Sequence, residues 1–271
     1  MVYATLALEK PITTYRLNKM KQAGEKFVTI ALYDAHMAAM AERCGVEVVL
    51  VGDSLGMTVL GFDSTIPVTM EHMIYHVEAV KRGNHKSLII GDMPFMTYAT
   101  PEQALHNAGR LMQAGAQMVK LEGGLWLCPT VEQLAQRGIP VCGHLGLTPQ
   151  SVHKLGGFRV QGRSDQQAKQ LLDEALALAA AGADLLVLEC VPAALAQSIS
   201  QVLSIPVIGI GAGAGTDAQV LVINDILGLT EHPPSFSKNF LREAGDIPGA
   251  MQQFVRDVKS GVFPSAEQSF N

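Results

Sequence analysis

The chain has no stretch of about 18 uncharged apolar residues, the length a membrane-spanning helix needs. Its most apolar run, ALALAAAGADLLVLE, is broken by Asp184 and reads as helix, turn and strand. The opening segment, MVYATLALEKPITTYRLNKMKQ, lacks the basic-then-apolar pattern of a signal peptide. No basic stretch stands out and the formal net charge is -5, which argues against a nucleic-acid partner. The four cysteines, Cys44, Cys128, Cys142 and Cys190, are scattered and form no CxxC pair. That spacing suits neither a disulfide framework nor a zinc site, and fits free buried thiols in a reducing compartment. These absences together predict a soluble cytoplasmic protein with no membrane contact.

What is present is a rhythm. Of 271 residues, 48% are hydrophobic and 17% charged, and that is enough chain to bury a large core. Short β-branched or aliphatic runs alternate with helical patterns, and a polar residue stands where each run ends. VVLVGDSLG, 48 to 56, shows the device: an apolar strand delivers Asp53 and Ser54 to its carboxyl end. The predicted strands are 27–34, 46–51, 87–92, 117–124, 139–146, 184–190, 206–213 and 218–225. A polar helix over about 13–23 precedes them, and an amphipathic helix over about 237–260 follows, before a polar tail without evident fold. In the helix over 100–116, Thr100 is the expected N-cap, Pro101 the first helical residue, Gln103 the capping-box partner and Gly115 the stop. The segment 148–165 has no clean periodicity and is too apolar for disorder, so it reads as a functional loop.

Eight strands alternating with helices predict a parallel sheet, and the count favours a closed (β/α)8 barrel over residues 1–271 as one domain. An open doubly wound sheet would place a glycine fingerprint after its first strand. Here the glycine-rich run, 209–215, follows the seventh, where it can hold phosphate or simply turn the chain tightly.

In such a barrel the active site lies at the carboxyl ends of the strands. The candidates there are Asp34, Asp53, Ser54, Asp92, Lys120, Glu122, His144 and Glu189. Alternation places Lys120 with Glu122, Val49 and Val51 with Asp53, Leu88 and Ile90 with Asp92, and Leu185 and Val187 with Glu189. If those faces line the barrel, several carboxylates meet at one mouth. Two carboxylates about 4 Å apart repel by about 4 kcal/mol at an effective dielectric of 20. Either some are protonated or a cation sits among them. Asp53, Asp92 and Glu122 form an all-oxygen set that suits a hard divalent ion such as magnesium. Each residue also has a structural reading. Asp34 can be the N-cap of the next helix, Lys120 can serve only in an ion pair, and His144 can be a satisfied core histidine. Glu189, beside Leu188 and Cys190, reads as a buried base or as half of a salt bridge. The residues alone imply a metal-assisted enzyme that removes a proton next to a carbonyl.

Four motifs carry a resemblance: VGDSLGMTVLGFDSTIPVT, DMPFMTYATPEQALHNAGRLMQAGAQMVKLEGG, PVCGHLGLTPQSVHKLGGFRVQGR and LLVLECVP. They resemble the ketopantoate hydroxymethyltransferase family from about residue 13 to the tail. The resemblance implies a (β/α)8 barrel of the phosphoenolpyruvate/pyruvate type, assembled as a decamer of two pentameric rings, in pantothenate and coenzyme A biosynthesis. It implies one magnesium ion per subunit on Asp53 and Asp92, with Glu122 in the same metal site, directly or through water. It implies Ser54 and Lys120 as contacts to the 2-oxo acid carboxylate, Glu189 as general base and His144 in a supporting role. The implied substrates are 3-methyl-2-oxobutanoate and 5,10-methylenetetrahydrofolate. A related barrel lyase or mutase acting on a small 2-oxo acid is the alternative. Ala218 stands where the family has glycine and Asn224 where histidine is common, which leaves the ends of the eighth strand open.

Overall fold

Runs of Val, Ile and Leu form the strands, because branched side chains suit a pleated surface that is covered on both faces. The computed structural model describes residues 7–271; residues 1–6, which begin the segment lacking a signal pattern, lie outside the described residues. The strands are β1 (Phe27–Ala31), β2 (Val48–Val51), β3 (Leu88–Asp92), β4 (Met118–Glu122), β5 (Val141–Gly146), β6 (Leu185–Glu189), β7 (Val207–Ile210) and β8 (Ala218–Val222). They are parallel and run in chain order around a closed barrel, as the strand count predicts. Closure is made by β8 on β1, in register from Phe27↔Ala218 to Ala31↔Val222. Among the described residues no helix is long and apolar enough to cross a membrane.

Local chemistry sets the helix boundaries. Thr13, Asp34, Thr69, Thr100, Ser164 and Asp246 each accept a backbone N–H with their side chains at a helix start. Asp34 is therefore a cap: its Oδ1 takes the N–H groups of His36 and Met37 at 2.8 and 2.9 Å, and β1 has already ended at Ala31. Gln103 does not close the expected capping box on Thr100; its Oε1 accepts the N–H of Ala99, one residue earlier. Gly115 ends the helix Pro101–Ala114 at φ 119, a conformation L side chains rarely adopt.

Two apolar layers follow from strand alternation. Outward residues such as Val49, Val51, Ile89 and Val119 pack under the helices. Inward residues such as Phe27, Leu50, Ile90, Met118 and Val187 fill the barrel, and Leu17 and Met20 of the helix Thr14–Gln22 join them. The N-terminal helix thus closes the floor.

Three expectations need correction. The predicted strand 218–225 stops at Val222, because Ile223–Ile226 turns into a short helix that carries Asn224 and Asp225. The predicted helix over 237–260 is two, Leu241–Ala244 and Ile247–Lys259. Gly245 at φ 80 breaks them, and Asp246 caps the second. The polar tail is also tied down: Ser265 and Gln268 make a capping box, and the Phe270 carbonyl accepts the Ala193 N–H at 2.8 Å.

A buried ion pair fastens the last helix to the barrel. Glu47, 3% exposed, meets Lys259 through Oε1 and accepts the Val28 N–H through Oε2 at 2.9 Å. Burial pushes the Glu47 carboxyl up, and Lys259 opposes that. Removing the cation leaves a buried anion. We expect Lys259→Met to lose about 2 kcal/mol of stability at neutral pH, less than a fully buried pair because Lys259 is partly exposed. A carboxyl raised in the folded state stabilises the fold when protonated, so the loss should shrink as the pH falls towards the ordinary glutamate range. Urea unfolding of both proteins at neutral and mildly acidic pH measures it.

Candidate active site

Alternation along four neighbouring strands brings charge to one end of the barrel. Leu88 and Ile90 point inward on β3, so Asp92 does too; the same step carries Met118 to Lys120 and Glu122, Cys142 to His144, and Val187 to Glu189. Register then sets Asp92 beside Lys120 and Glu122 beside His144. Asp53 arrives differently. Val49 and Val51 belong to the outer layer, so the face expected to carry Asp53 is the wrong one. β2 ends at Val51, and the turn through Gly52 swings Asp53 over the mouth. There its N–H donates to Asp92 Oδ2 at 3.3 Å.

Asp53, Asp92 and Glu122 each offer an oxygen, and these oxygens lie within 4.8 Å of one another. All three residues are buried. Lys120 Nζ donates to Asp92 Oδ2 at 2.6 Å and to Glu122 Oε1 at 3.4 Å. One ammonium cannot neutralise three carboxylates. Burial, with the charges of Asp92 and Glu122, holds the Asp53 carboxyl well above its usual range. Burial raises Asp92 as well, against the opposing pull of Lys120. Burial alone would raise Glu122, but Lys120 and His144 outweigh it and hold Glu122 down at about 2. Burial disfavours the Lys120 ammonium, yet Asp92, Glu122 and Asp53 keep it well above the ordinary lysine value.

Asp92 Oδ1 is buried and has no hydrogen-bond partner among the described residues. An orphaned carboxylate oxygen is costly unless a ligand meets it. The donors are hard oxygens and their charge is in excess, so the set fits a divalent cation of the magnesium type.

His144 links this cluster to Glu189. Its Nδ1 lies 3.2 Å from Glu122 Oε1 and its Nε2 lies 3.3 Å from Glu189 Oε2. These are ion-pair distances; the ring nitrogens do not reach hydrogen-bonding geometry. Burial and Lys120 both work to lower the imidazole, but Glu122 and Glu189 raise it to about 9. Cys190 follows Glu189 in a left-handed conformation, φ 47, which costs a residue with a side chain about 1 kcal/mol or more. Its N–H donates to the Ile210 carbonyl and its carbonyl accepts the Gln161 N–H, both at 2.9 Å, so β7 and the loop fix the turn behind Glu189.

Seven of the expected residues, Asp53, Ser54, Asp92, Lys120, Glu122, His144 and Glu189, line one cavity of about 610 Å³. Asp34 does not. Three supporting residues carry no signal in the spacing. Tyr33 shares a hydrogen bond of 2.8 Å with Ser54 Oγ. Gln150 donates through Nε2 to Asp53 Oδ2 and to the Met93 carbonyl, both at 2.9 Å, and its backbone N–H donates to Glu122 Oε2 at 3.0 Å. Tyr98 donates to Gln150 Oε1 and accepts the Glu122 N–H. Gln150 lies in the segment 148–165, whose apolar character was the available clue. The glycine-rich run is not an open phosphate cradle. A Cβ on Gly211, at φ 57, would meet Phe236 and Phe270 within about 3 Å, and one on Gly213 or Gly215 would strike Ala193 or Gln197. These glycines let side chains and the tail pack over β7.

Comparison with known proteins agrees with this geometry. A family model described as ketopantoate hydroxymethyltransferase matches residues 11–266. A 3-methyl-2-oxobutanoate hydroxymethyltransferase from Saccharophagus degradans is 71% identical over 100% of both chains. The protein of that name from Shewanella loihica is 58% identical over 96% of this chain and 99% of its own. Among solved structures, the phosphoenolpyruvate phosphomutase of Streptomyces platensis superposes with a TM-score of 0.60 at 17% identity, covering 92% of this chain and 88% of its own. A 2,3-dimethylmalate lyase, a member of the PEP mutase/isocitrate lyase superfamily, gives 0.55 at 16% identity, covering 78% and 81%. At that identity these two speak for the barrel alone, whereas the sequence matches run almost end to end. The chain is an enzyme and belongs to the ketopantoate hydroxymethyltransferase family.

Proposed function

We propose that the chain transfers a hydroxymethyl group from 5,10-methylenetetrahydrofolate to 3-methyl-2-oxobutanoate, giving 2-dehydropantoate, by way of an enolate. The observation that carries this reading is the pairing of a buried, cation-hungry carboxylate set with Glu189 across one cavity. Asp53 and Asp92 hold the cation, and Glu122 completes the site directly or through water. Magnesium bound there supplies the positive charge that polarises the keto group and steadies the enolate oxygen. Lys120 and Ser54 bind the substrate carboxylate, and the Tyr33 bond fixes the Ser54 hydroxyl. Gln150 orients Asp53 and Glu122 together. Glu189 removes the C3 proton, and the carbanion equivalent forms a carbon–carbon bond to the one-carbon unit of the folate; the bonds from that carbon to both folate nitrogens break, one water supplies the new hydroxyl oxygen, and tetrahydrofolate leaves with the protons. His144 keeps Glu189 turned toward the cavity floor. In the cell this reading places the enzyme in the cytoplasm, as a decamer of two pentameric rings; sedimentation tests the assembly.

The first half-reaction needs no folate. We expect Glu189→Gln, with magnesium and the oxo acid in D2O, to exchange the C3 proton about a hundredfold or more slowly than wild type. Exchange at the wild-type rate, followed by proton NMR, would remove Glu189 as the base.

The metal site also makes a pH prediction. Asp53 and Asp92 bind protons more tightly than ordinary aspartates do. Raised carboxyls stabilise the metal-free fold below the unfolded value of ~3.9, and that contribution is lost as the pH rises through their folded values. Magnesium competes with those protons, so its affinity should grow as the pH rises above the ordinary aspartate range. The rise in Tm on adding magnesium should be larger at about pH 7 than at about pH 5, just above the ordinary aspartate range. A pH-independent rise would refute it.

A further inference from the structure

The cavity of about 610 Å³ is far larger than a small branched oxo acid requires, and its acidic floor is only one end of it. Asp225, in the short helix after β8, also lines the cavity and takes no part in the chemistry above. It is 7% exposed. Its Oδ1 accepts the Thr230 hydroxyl at 2.5 Å, and its Oδ2 makes no hydrogen bond or ion pair with any described residue. Burial pushes its carboxyl up, and the Thr230 bond opposes that. Asp225 lines the same cavity as Asp53 and Ser54 and shares none of the hydrogen bonds of the acidic cluster.

Phe236 and Phe270 line the same cavity. Their rings meet edge to face, 6.5 Å between centroids, above the Cβ-free surface of Gly211. The cavity thus offers a buried carboxylate acceptor together with an aromatic wall. A flat ligand with two adjacent N–H donors on one edge is the matching chemistry, since a carboxylate accepts such a pair side by side. The 2-amino-4-oxopyrimidine edge of a reduced pterin has that pattern, and its ring face suits an aromatic wall.

We propose that Asp225, held by Thr230, reads the amino-pyrimidinone edge of the folate cosubstrate, with Phe236 and Phe270 forming the wall beside the ring. This rests on the folate reading given above. It explains why a polar tail is tied down so carefully: Phe270 is part of the wall, and the Ala193 bond to its carbonyl holds it there.

Calorimetric titration of tetrahydrofolate into the full-length protein tests the site, with magnesium present and no oxo acid. Asp225→Asn puts an amide donor against a donor edge, and its Kd should rise at least about tenfold. Thr230→Val should weaken binding less, about threefold, because it frees the carboxylate without removing it. Magnesium-dependent binding of the oxo acid to both variants should stay within about twofold of wild type, which shows that the floor is intact. Asp225→Asn binding tetrahydrofolate as wild type does would overturn the site while leaving the folate reading standing. Parallel loss of oxo acid and tetrahydrofolate binding would make Asp225 a structural residue, and would overturn it too. Wild type that does not bind tetrahydrofolate would sink both the site and the folate reading.

Discussion

The structure depends on a surplus of buried negative charge around one lysine. Asp53, Asp92 and Glu122 place oxygens within 4.8 Å of one another, and Lys120 is the ammonium among them. At about 4 Å and an effective dielectric of 20, each carboxylate pair repels by about 4 kcal/mol. A lone ammonium offsets part of this, and it is spent mostly on Asp92, at 2.6 Å. Other groups divide the remainder. Gln150 gives an N–H to Asp53 and another to Glu122, and His144 leans its ring toward Glu122. Asp92 Oδ1 is left with nothing. Donors among the described residues thus cover most of the cluster and leave one oxygen uncovered, which suits the proposed cation.

Such a cluster survives only on a rigid support. The barrel below it is filled by Phe27, Leu50, Leu88, Ile90, Met118 and Leu185, and floored by Leu17 and Met20. Burying an aliphatic or aromatic side chain contributes about 1.5–3 kcal/mol, so this inner layer offsets the electrostatic cost above it. The division is by depth along each strand. Apolar residues occupy the amino-terminal part of the pleat, and the last inward side chain of β3, β4, β5 and β6 is ionisable (Asp92, Glu122, His144 and Glu189), with only Gly146 beyond His144 on β5. Moving a strand by one residue would send its charge under the helices, which couples the register to the site.

How much of this was legible depended on which rule governed each residue. Alternation within a strand gave Asp92, Lys120, Glu122, His144 and Glu189, because β3 to β6 run straight to the residues in question. The same rule misplaced Asp53, since β2 stops at Val51 and a turn, not a pleat, carries the carboxylate inward. Asp34 followed the other rule available to a strand-end aspartate and capped a helix. The glycine run was legible as close packing only once Phe236, Phe270 and Gln197 were seen against it. Tyr33 and Tyr98 were not legible, and Gln150 was legible only as part of the functional loop 148–165. Each reaches its partner across a distance in sequence, Gln150 spanning 97 residues to Asp53, and no local period encodes that. The tail failed for a related reason: its polar composition says nothing of a carbonyl that meets Ala193.

The position of His144 bears on how the proposed base and the cation site coexist. Glu189 and Glu122 are both carboxylates, and without an intermediary their charges would repel. His144 stands between them, 3.2 Å from one and 3.3 Å from the other, with its imidazole raised to about 9. A cation there attracts both and separates their charges. Glu122 is held down at about 2 by Lys120 first and then by the same ring that faces Glu189. In the proposed proton transfer Glu189 loses its charge, and the attraction of the ring shifts towards Glu122. One buried ring can in this way face both halves of the site, and the left-handed turn at Cys190 holds the proposed base within its reach.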